Sequence, residues 1–386
     1  MSIKTYDIII IGAGAAGIFA AGRIKNKSVC VLDAGEMPLR RVAVSGGGKC
    51  NFTNAAADHH HYFGENNNFV RSALSRWTPN DMLKWAQNHS INIHEKSAGQ
   101  YFADTSQSII DALMHDARNA DIILNTTVKY ATCVDDIFKI DTNNGNYAAK
   151  NLVIATGGIS YSNISTGDIG YKIAKTFGHK IIPPRPALCG IKTKIFDSAL
   201  SGISIPVEIE IKREIITDNM LFTHWGLGGP AIYRATVRDL DDGFTINLLP
   251  NCKNTLEWLK SQKCESGKKQ LKTVLSSKLP ERLAEFLAGN TTKNMADWRD
   301  MELQLIANKI SNITMTPQNF TLQKFDAAEV TRGGIDTAEI SSKTMESKIQ
   351  PRLYFIGECL DIAGDLGGYN LHMAWASANA MAEELK

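Results

Sequence analysis

Three glycines at the start of the chain carry its first chemistry. Gly12, Gly14 and Gly17 form the run Gly12-Ala-Gly14-Ala15-Ala16-Gly17, which follows the β-branched stretch Ile8 to Ile11 and leads into a segment of helical composition, Ala15 to Lys25. The first glycine permits a tight turn, the second lets a pyrophosphate reach the backbone, and the third lets a helix pack closely on its strand. The N–H groups at the helix start then face the phosphates. A second strand, Ser28 to Leu32, ends at Asp33 and Ala34, where a carboxylate can accept both hydroxyls of an adenosine ribose. Strand, glycine turn, helix, strand and acid in this order specify a dinucleotide site. NAD and FAD share it.

The choice between them rests on the remaining chain, beginning with Arg40 to Asn54, RRVAVSGGGKCNFTN. Its glycines and small polar groups let the loop pass close to a flat or phosphorylated ligand and donate backbone N–H groups, with Arg41 and Lys49 countering charge. SGGGKCNFTN resembles the SGGGRCN-type signature of the YhiN/BaiN family of bacterial flavoproteins, which includes aminoacetone-oxidase-like members. LVIATGG (Leu152 to Gly158), LFTHWGLGGP (Leu221 to Pro230), EVTRGGI (Glu329 to Ile335), TMESK (Thr344 to Lys348), LYFIGECLD (Leu353 to Asp361) and GGYNLHMAW (Gly367 to Trp375) follow in that family's order, so the similarity runs end to end. Four places depart from it: Gly228 stands where Ser is usual, Lys49 where Arg is usual, His372 where Gln is frequent, and the terminal ASAN replaces SSG. The first two bear on the substrate side. The resemblance implies FAD, held by Gly12, Gly14, Ala15, Ala16, Gly17, Asp33, Ala34, Arg41, Ser45, Gly46, Gly47, Lys49, Cys50, Asn51, Thr53, Val128, Thr156, Gly157, Gly357, Glu358 and Asp361. It places Gly368, Tyr369, Asn370 and Leu371 beside the isoalloxazine.

Flavin-domain segments occur both before about residue 187 and after about residue 325, so the expected fold is α/β: a Rossmann-like FAD-binding domain, residues 1–187 and 325–386, interrupted by an insertion. Pro183, Pro184 and Pro186 mark the exit from it. Residues 188–253 and about 313–324 predict a small β-barrel or sheet, from the alternation in Ile205-Pro-Val207-Glu-Ile209-Glu-Ile211 and in Phe244-Thr-Ile246-Asn-Leu248. Residues 254–312 form a helical subdomain, with Leu271, Val274, Leu275 and Leu283, Phe286, Leu287 at helical spacing and Lys-rich outer faces.

A chain of 386 residues with 44% hydrophobic content can bury a large core. Its 42 basic against 40 acidic residues leave a formal charge of +2, so no overall field draws nucleic acid or anionic lipid. Seven cysteines without a C-x-x-C pair suit a reducing compartment. The apolar stretch Ile8 to Gly22 is glycine-broken and shorter than the roughly 20 residues a bilayer span needs. Lys4 alone precedes it and Asp7 interrupts, so the start reads as cytoplasmic rather than as a signal peptide.

Three features carry no further chemistry. Gly226-Leu-Gly228-Gly-Pro230-Ala231 imitates a second dinucleotide turn, but Pro230 breaks it, no apolar strand leads in, and Asn247 stands where an acid is wanted. His59, His60 and His61 are consecutive and read as a solvated loop, so no metal is expected. Cys50 and Cys359 read as small buried thiols.

Gly364 to Asn370 forms a flexible loop running into an apolar helix, Leu371 to Glu384, which Asn370 is expected to cap or start. Aimed at a flavin's pyrimidine edge, that helix end would stabilise the negative charge that hydride uptake places there. The expected activity is an FAD-dependent oxidoreductase moving hydride through flavin N5 to or from a small or medium organic substrate. NAD(P)H, if it is the co-substrate, docks transiently because no second dinucleotide domain is apparent. Lys49, His224 and Tyr369 are the catalytic candidates, the latter two as proton donors, with Asn51, Thr223 and His372 also near the substrate. This reading needs no nucleic acid, membrane or obligate protein partner. A second reading keeps the cofactor and acts on RNA gripped by the lysines of Lys260 to Lys278, although Trp258 is the one aromatic close by. A third is a non-catalytic flavin-binding module.

Overall fold

In the computed structural model, which describes residues 3–96, 99–161 and 167–385, the isoleucine run is the second half of strand β1, Lys4–Ile11. Exposure falls along this strand until Ile8 to Ile11 are no more than 4% accessible. The strand is central. β2, Val29–Leu32, pairs with it on one side and Gly145–Ile154 on the other, both parallel, and a strand with neighbours on both edges and cover on both faces is apolar throughout. Helix α1, Ala15–Arg23, connects β1 to β2. Asp121–Ile123 extends the sheet beyond β2, and Leu353–Phe355 pairs in parallel with Leu152 to Ile154.

Two strands differ from what the sequence predicts. The strand expected from Leu152 begins at Gly145, because Gly145 to Ala149 pairs antiparallel with the strand Ile137–Thr142, which pairs in turn with Val128–Val134. Only its last residues read as a continuous apolar run. Pro183, Pro184 and Pro186 lie inside a strand, Ile181–Ala187, rather than in a linker. That strand forms a two-stranded antiparallel ribbon with Val330–Ile335, and its register shifts between Ile182 and Arg185, where missing N–H donors are tolerated.

The last helix, Tyr369–Glu384, packs on α1 and is buried around nearly its whole circumference, which is why it lacks a polar stripe. The rings of Phe19 and Trp375 lie 5.4 Å apart, and Trp375 Nε1 donates to Phe52 O at 2.9 Å.

The chain divides into two compact units, Met1–Ala187 with Ala328–Lys386, and Leu188–Ala327. The second contains a seven-stranded antiparallel sheet built around the hairpin Ser204–Ile211 and Glu214–Thr223. Ile205, Val207, Ile209 and Ile211 point to one buried face, as the alternation requires. Helices Thr255–Glu265, Leu271–Leu275, Glu281–Ala288 and Asp300–Ser311 share a single core with that sheet, Leu283 and Ile306 joining Ile209 and Ile246.

Candidate functional site

The glycine turn divides into packing and open positions. A Cβ on Gly17 would overlap Gly12 O, and one on Gly12 would overlap Ala155 O, so both glycines seat α1 against the sheet. A Cβ on Gly14 would find no atom within 4 Å. Gly14 is also the N-cap of α1, whose first turn has neither a capping side chain nor an acidic residue, so its N–H groups are available to an anion. Asp33 lies alongside. Its Oδ2 accepts from Ala13 N and its Oδ1 from Gly35 N, both at 2.7 Å, with Arg40 Nη2 3.9 Å from Oδ1. Each oxygen retains a lone pair for a ribose hydroxyl.

The second glycine cluster is a loop of left-handed backbone. Gly46, Gly47 and Gly48 have φ of 58°, 66° and 81°, values that side chains with a Cβ resist, and Cys50 follows at 49°. Gly46 abuts Asn51 N and the Phe102 ring, whereas Gly47 and Gly48 face open space. Ser45 ties the loop, its O accepting from Gly48 N and Cys50 N. Lys49 is exposed. Burial pushes the thiols of Cys50 and Cys359 up to about 12, so both are protonated at neutral pH.

The strand Asn51–Asn54 carries the start of the last helix. Gly368, φ 94°, occupies the N-cap, where a Cβ would lie 2.6 Å from Thr53 O and 2.7 Å from Asn51 Oδ1. Asn370, expected to cap or start the helix, lies in its first turn and does not cap it; its side chain pins Gly364, accepting from its N at 2.7 Å and donating to its O at 2.9 Å. The helix therefore begins at Tyr369, and the positive φ that its entry requires explains why glycine takes the cap. No side chain caps this helix either, and its first turn carries no acid.

Tyr369 is only 5% exposed. Its ring stacks on His61 with centroids 4.6 Å apart and planes 19° from parallel, while Tyr62 Oη donates to Tyr369 O at 3.0 Å. His61 Nδ1 lies 3.9 Å from a carboxylate oxygen of buried Asp365. This His61, Tyr369 and Asp365 cluster escaped the sequence reading, because it depends on Tyr62–Phe63 pairing with Ala363–Gly364.

Arg41 is committed within the chain. Its guanidinium pairs with Glu358 and donates to Gly158 O at 2.9 Å and to Ser160 O, and Glu358 also accepts from Thr331 N at 2.8 Å. The charge expected to meet a phosphate is thus already matched by a carboxylate, and Arg41 ties the end of the Gly145–Ile154 strand to Val330–Ile335. Gly157 lies beside this pair. Thr156 crowds Gly170, and Gly357 touches Ala16 of α1. Asp361 Oδ2 accepts from Glu65 N at 2.8 Å, and burial raises its carboxyl above the ordinary range. Val128 is buried two residues after Thr126, whose N donates to Asp33 O. Ala34 and Leu371 are half-buried, adjoining Asp33 and Asn370.

Of the catalytic candidates, Lys49 and Tyr369 belong to the first unit, and His224 lies exposed in the second. Two uncapped helix ends, glycine positions with room for a ligand, and an acid closing β2 suit the phosphates, ribose and ring of a dinucleotide. Together with a parallel sheet of this order they define a dinucleotide-binding protein of the Rossmann type.

Residues 6–384 match the model of the HI0933-like protein Rossmann domain, and the chain belongs to that family, which comprises flavoproteins of the YhiN/BaiN type. It is 39% identical to the ribosomal RNA dihydrouridine synthase of Haemophilus influenzae over 97% of both chains. It is 36% identical to the protein of the same name from Escherichia coli, over 99% of this chain and 98% of that one. It is also 27% identical to the 3-dehydro-bile acid delta(4,6)-reductase of Clostridium scindens, over 95% and 96%. The chain is accordingly a flavin oxidoreductase. Among the described residues no helix is long and apolar enough to cross a membrane.

Proposed function

We propose that this chain is an FAD-dependent reductase that saturates the C5–C6 double bond of uracil in ribosomal RNA, with NAD(P)H docking transiently as the electron source. The observation that carries this reading is the 39% identity, spanning both units, to a ribosomal RNA dihydrouridine synthase. The sequence alone favours a small organic substrate over RNA, and the two relatives of this name support RNA.

The electronic demand is simple. Uracil C5=C6 is conjugated with the C4 carbonyl, so hydride adds at C6, charge builds towards O4, and a proton goes to C5. A bound flavin supplies the hydride from N5. The chain supplies the rest. Gly14 and the start of α1 hold the pyrophosphate, and Asp33 holds the ribose. The Ser45 to Gly48 loop and the uncapped helix start at Gly368 would hold the ring, the helix end offering N–H groups to negative charge on it. Tyr369, stacked and buried, orients that helix end. The proton destined for C5 has two exposed candidate donors, Lys49 in the first unit or His224 in the second.

A small conjugated ketone remains the second reading, favoured by the bile-acid reductase relative, since an enone makes the same demand of hydride at the β-carbon and proton at the α-carbon. The test incubates FAD-loaded protein with NADH or NADPH and unmodified ribosomal RNA, followed by nucleoside mass spectrometry. Uridine gaining two hydrogens supports the first reading. Reduction of a conjugated steroid ketone with no change in RNA supports the second.

A further inference from the structure

The lysines that would most obviously grip RNA are largely occupied. Lys260 and Lys263 lie 3.6 and 3.5 Å from Asp300, Lys272 lies 3.5 Å from Glu285, and Lys278 sits over the Trp258 ring at 5.4 Å. The second unit holds a different kind of feature at the tip of a hairpin.

The strands Glu214–Thr223 and Gly226–Gly228 pair through Thr223 and Gly226, so His224 and Trp225 are the whole of a two-residue turn. Such turns favour Asn-Gly or Gly-containing pairs with positive φ. Here two large aromatic residues take the position, neither with positive φ, and Gly226 at 147° absorbs the twist. A local rule broken at an exposed tip points to a use for the side chains. The indole is also built in. Gly190 is bare so that the Trp225 ring can lie against its backbone, and a Cβ on Gly228 would sit 3.5 Å from the same ring. Gln323 Oε1 accepts from Gly190 N at 3.2 Å, and Trp225 O accepts from Thr193 N at 3.3 Å. Trp225 nevertheless remains partly exposed, His224 stands edge-on to it at 6.4 Å, and Thr223 Oγ1 is buried with no partner among the described residues.

We infer that Trp225 is a stacking platform for an unpaired nucleobase of the substrate RNA, with the exposed His224 as a polar neighbour to the base. The inference rests on the RNA reading above and adds a site to it. A rigid, half-exposed indole beside hydrogen-bonding groups is the arrangement that binds splayed-out bases in single-stranded RNA.

The test compares wild type, Trp225→Phe and Trp225→Ala holoenzymes, using bound-flavin absorbance as the control for folding. Affinity for a uridine-rich single-stranded oligonucleotide is read by fluorescence anisotropy, and KM and kcat for dihydrouridine formation are measured on ribosomal RNA. Loss of the indole is expected to weaken oligonucleotide binding by about 5- to 150-fold and to raise KM more than it lowers kcat, with Phe restoring most of the affinity. A 5-bromouridine oligonucleotide photo-crosslinked to the wild-type protein should label the peptide containing Trp225, which keeps the test open if the Ala variant does not fold. Unaltered affinity in Trp225→Ala, or crosslinking confined to other peptides, overturns the platform while dihydrouridine formation by wild type leaves the RNA reading standing. Wild type that neither binds the oligonucleotide nor forms dihydrouridine overturns both.

Discussion

Thr53 Oγ1 and His372 Nδ1 lie 2.8 Å apart, a contact between residues 319 positions distant that fastens the last helix to the strand under its start. The His372 ring is fully buried.

Burial holds the His372 pKa down at about 4 from an ordinary 6.5, against a smaller opposing pull from the Trp77 backbone. Above pH 6.5 folded and unfolded chains are both neutral here. As pH falls towards 4 the unfolded chain takes up a proton that the folded chain refuses, so stability declines by about 3 kcal/mol over that window. His372→Gln lacks this proton. Its denaturant-derived stability should therefore fall less steeply between pH 6.5 and 4, and parallel curves for the two proteins would exclude a buried neutral ring.

The three glycines of the first turn should fail differently. Gly14→Val places its side chain in open space, so the protein should fold with near-native circular dichroism and purify largely colourless. Gly17→Val forces a methyl-bearing carbon into Gly12 O and should lower the thermal midpoint or prevent folding. Full flavin content in Gly14→Val would remove this loop from the cofactor site.

Proton delivery separates the candidates. Tyr369→Phe should retain flavin and most of its turnover, because the ring is stacked and buried. Of Lys49→Met and His224→Gln, the variant that loses the donor should lose about 10²- to 10⁴-fold in kcat, with hydride acceptance from NAD(P)H intact in single-turnover reduction. Normal kcat in both would remove both from the role.

Lys260, Lys263 and Asp300 form a partly exposed ion-pair group of the kind that contributes about 0 to 1 kcal/mol. Replacing both lysines by alanine should leave the salt dependence of RNA affinity nearly unaltered, since a pre-paired lysine releases few counterions from RNA. A slope shallower by about two would assign them to phosphate contact.

The turn from β1 into α1 was legible in sequence because every element there is local: an apolar strand, three glycines and a helix start within a few residues. The beginning of the Gly145–Ile154 strand was not, since its first half follows an antiparallel neighbour and has no apolar run to mark it. Asn370 carried the obvious capping chemistry, yet Gly368 caps the helix, because contact with Thr53 O leaves no room for a Cβ. The stack of His61 on Tyr369 and the indole of Trp225 against Gly190 were illegible for a common reason. Each needs a strand pairing to bring distant residues together, and no spacing in the chain announces it.

The position of the last helix sets an order of events during synthesis. Residues 51–54 emerge from the ribosome early, but the backbone that lies across them, Gly368 with Trp375 donating to Phe52, is translated some three hundred residues later. The strand Asn51–Asn54 therefore gains its cover only once Tyr369–Glu384 has been made, so the two parts of the chain that meet here are joined last.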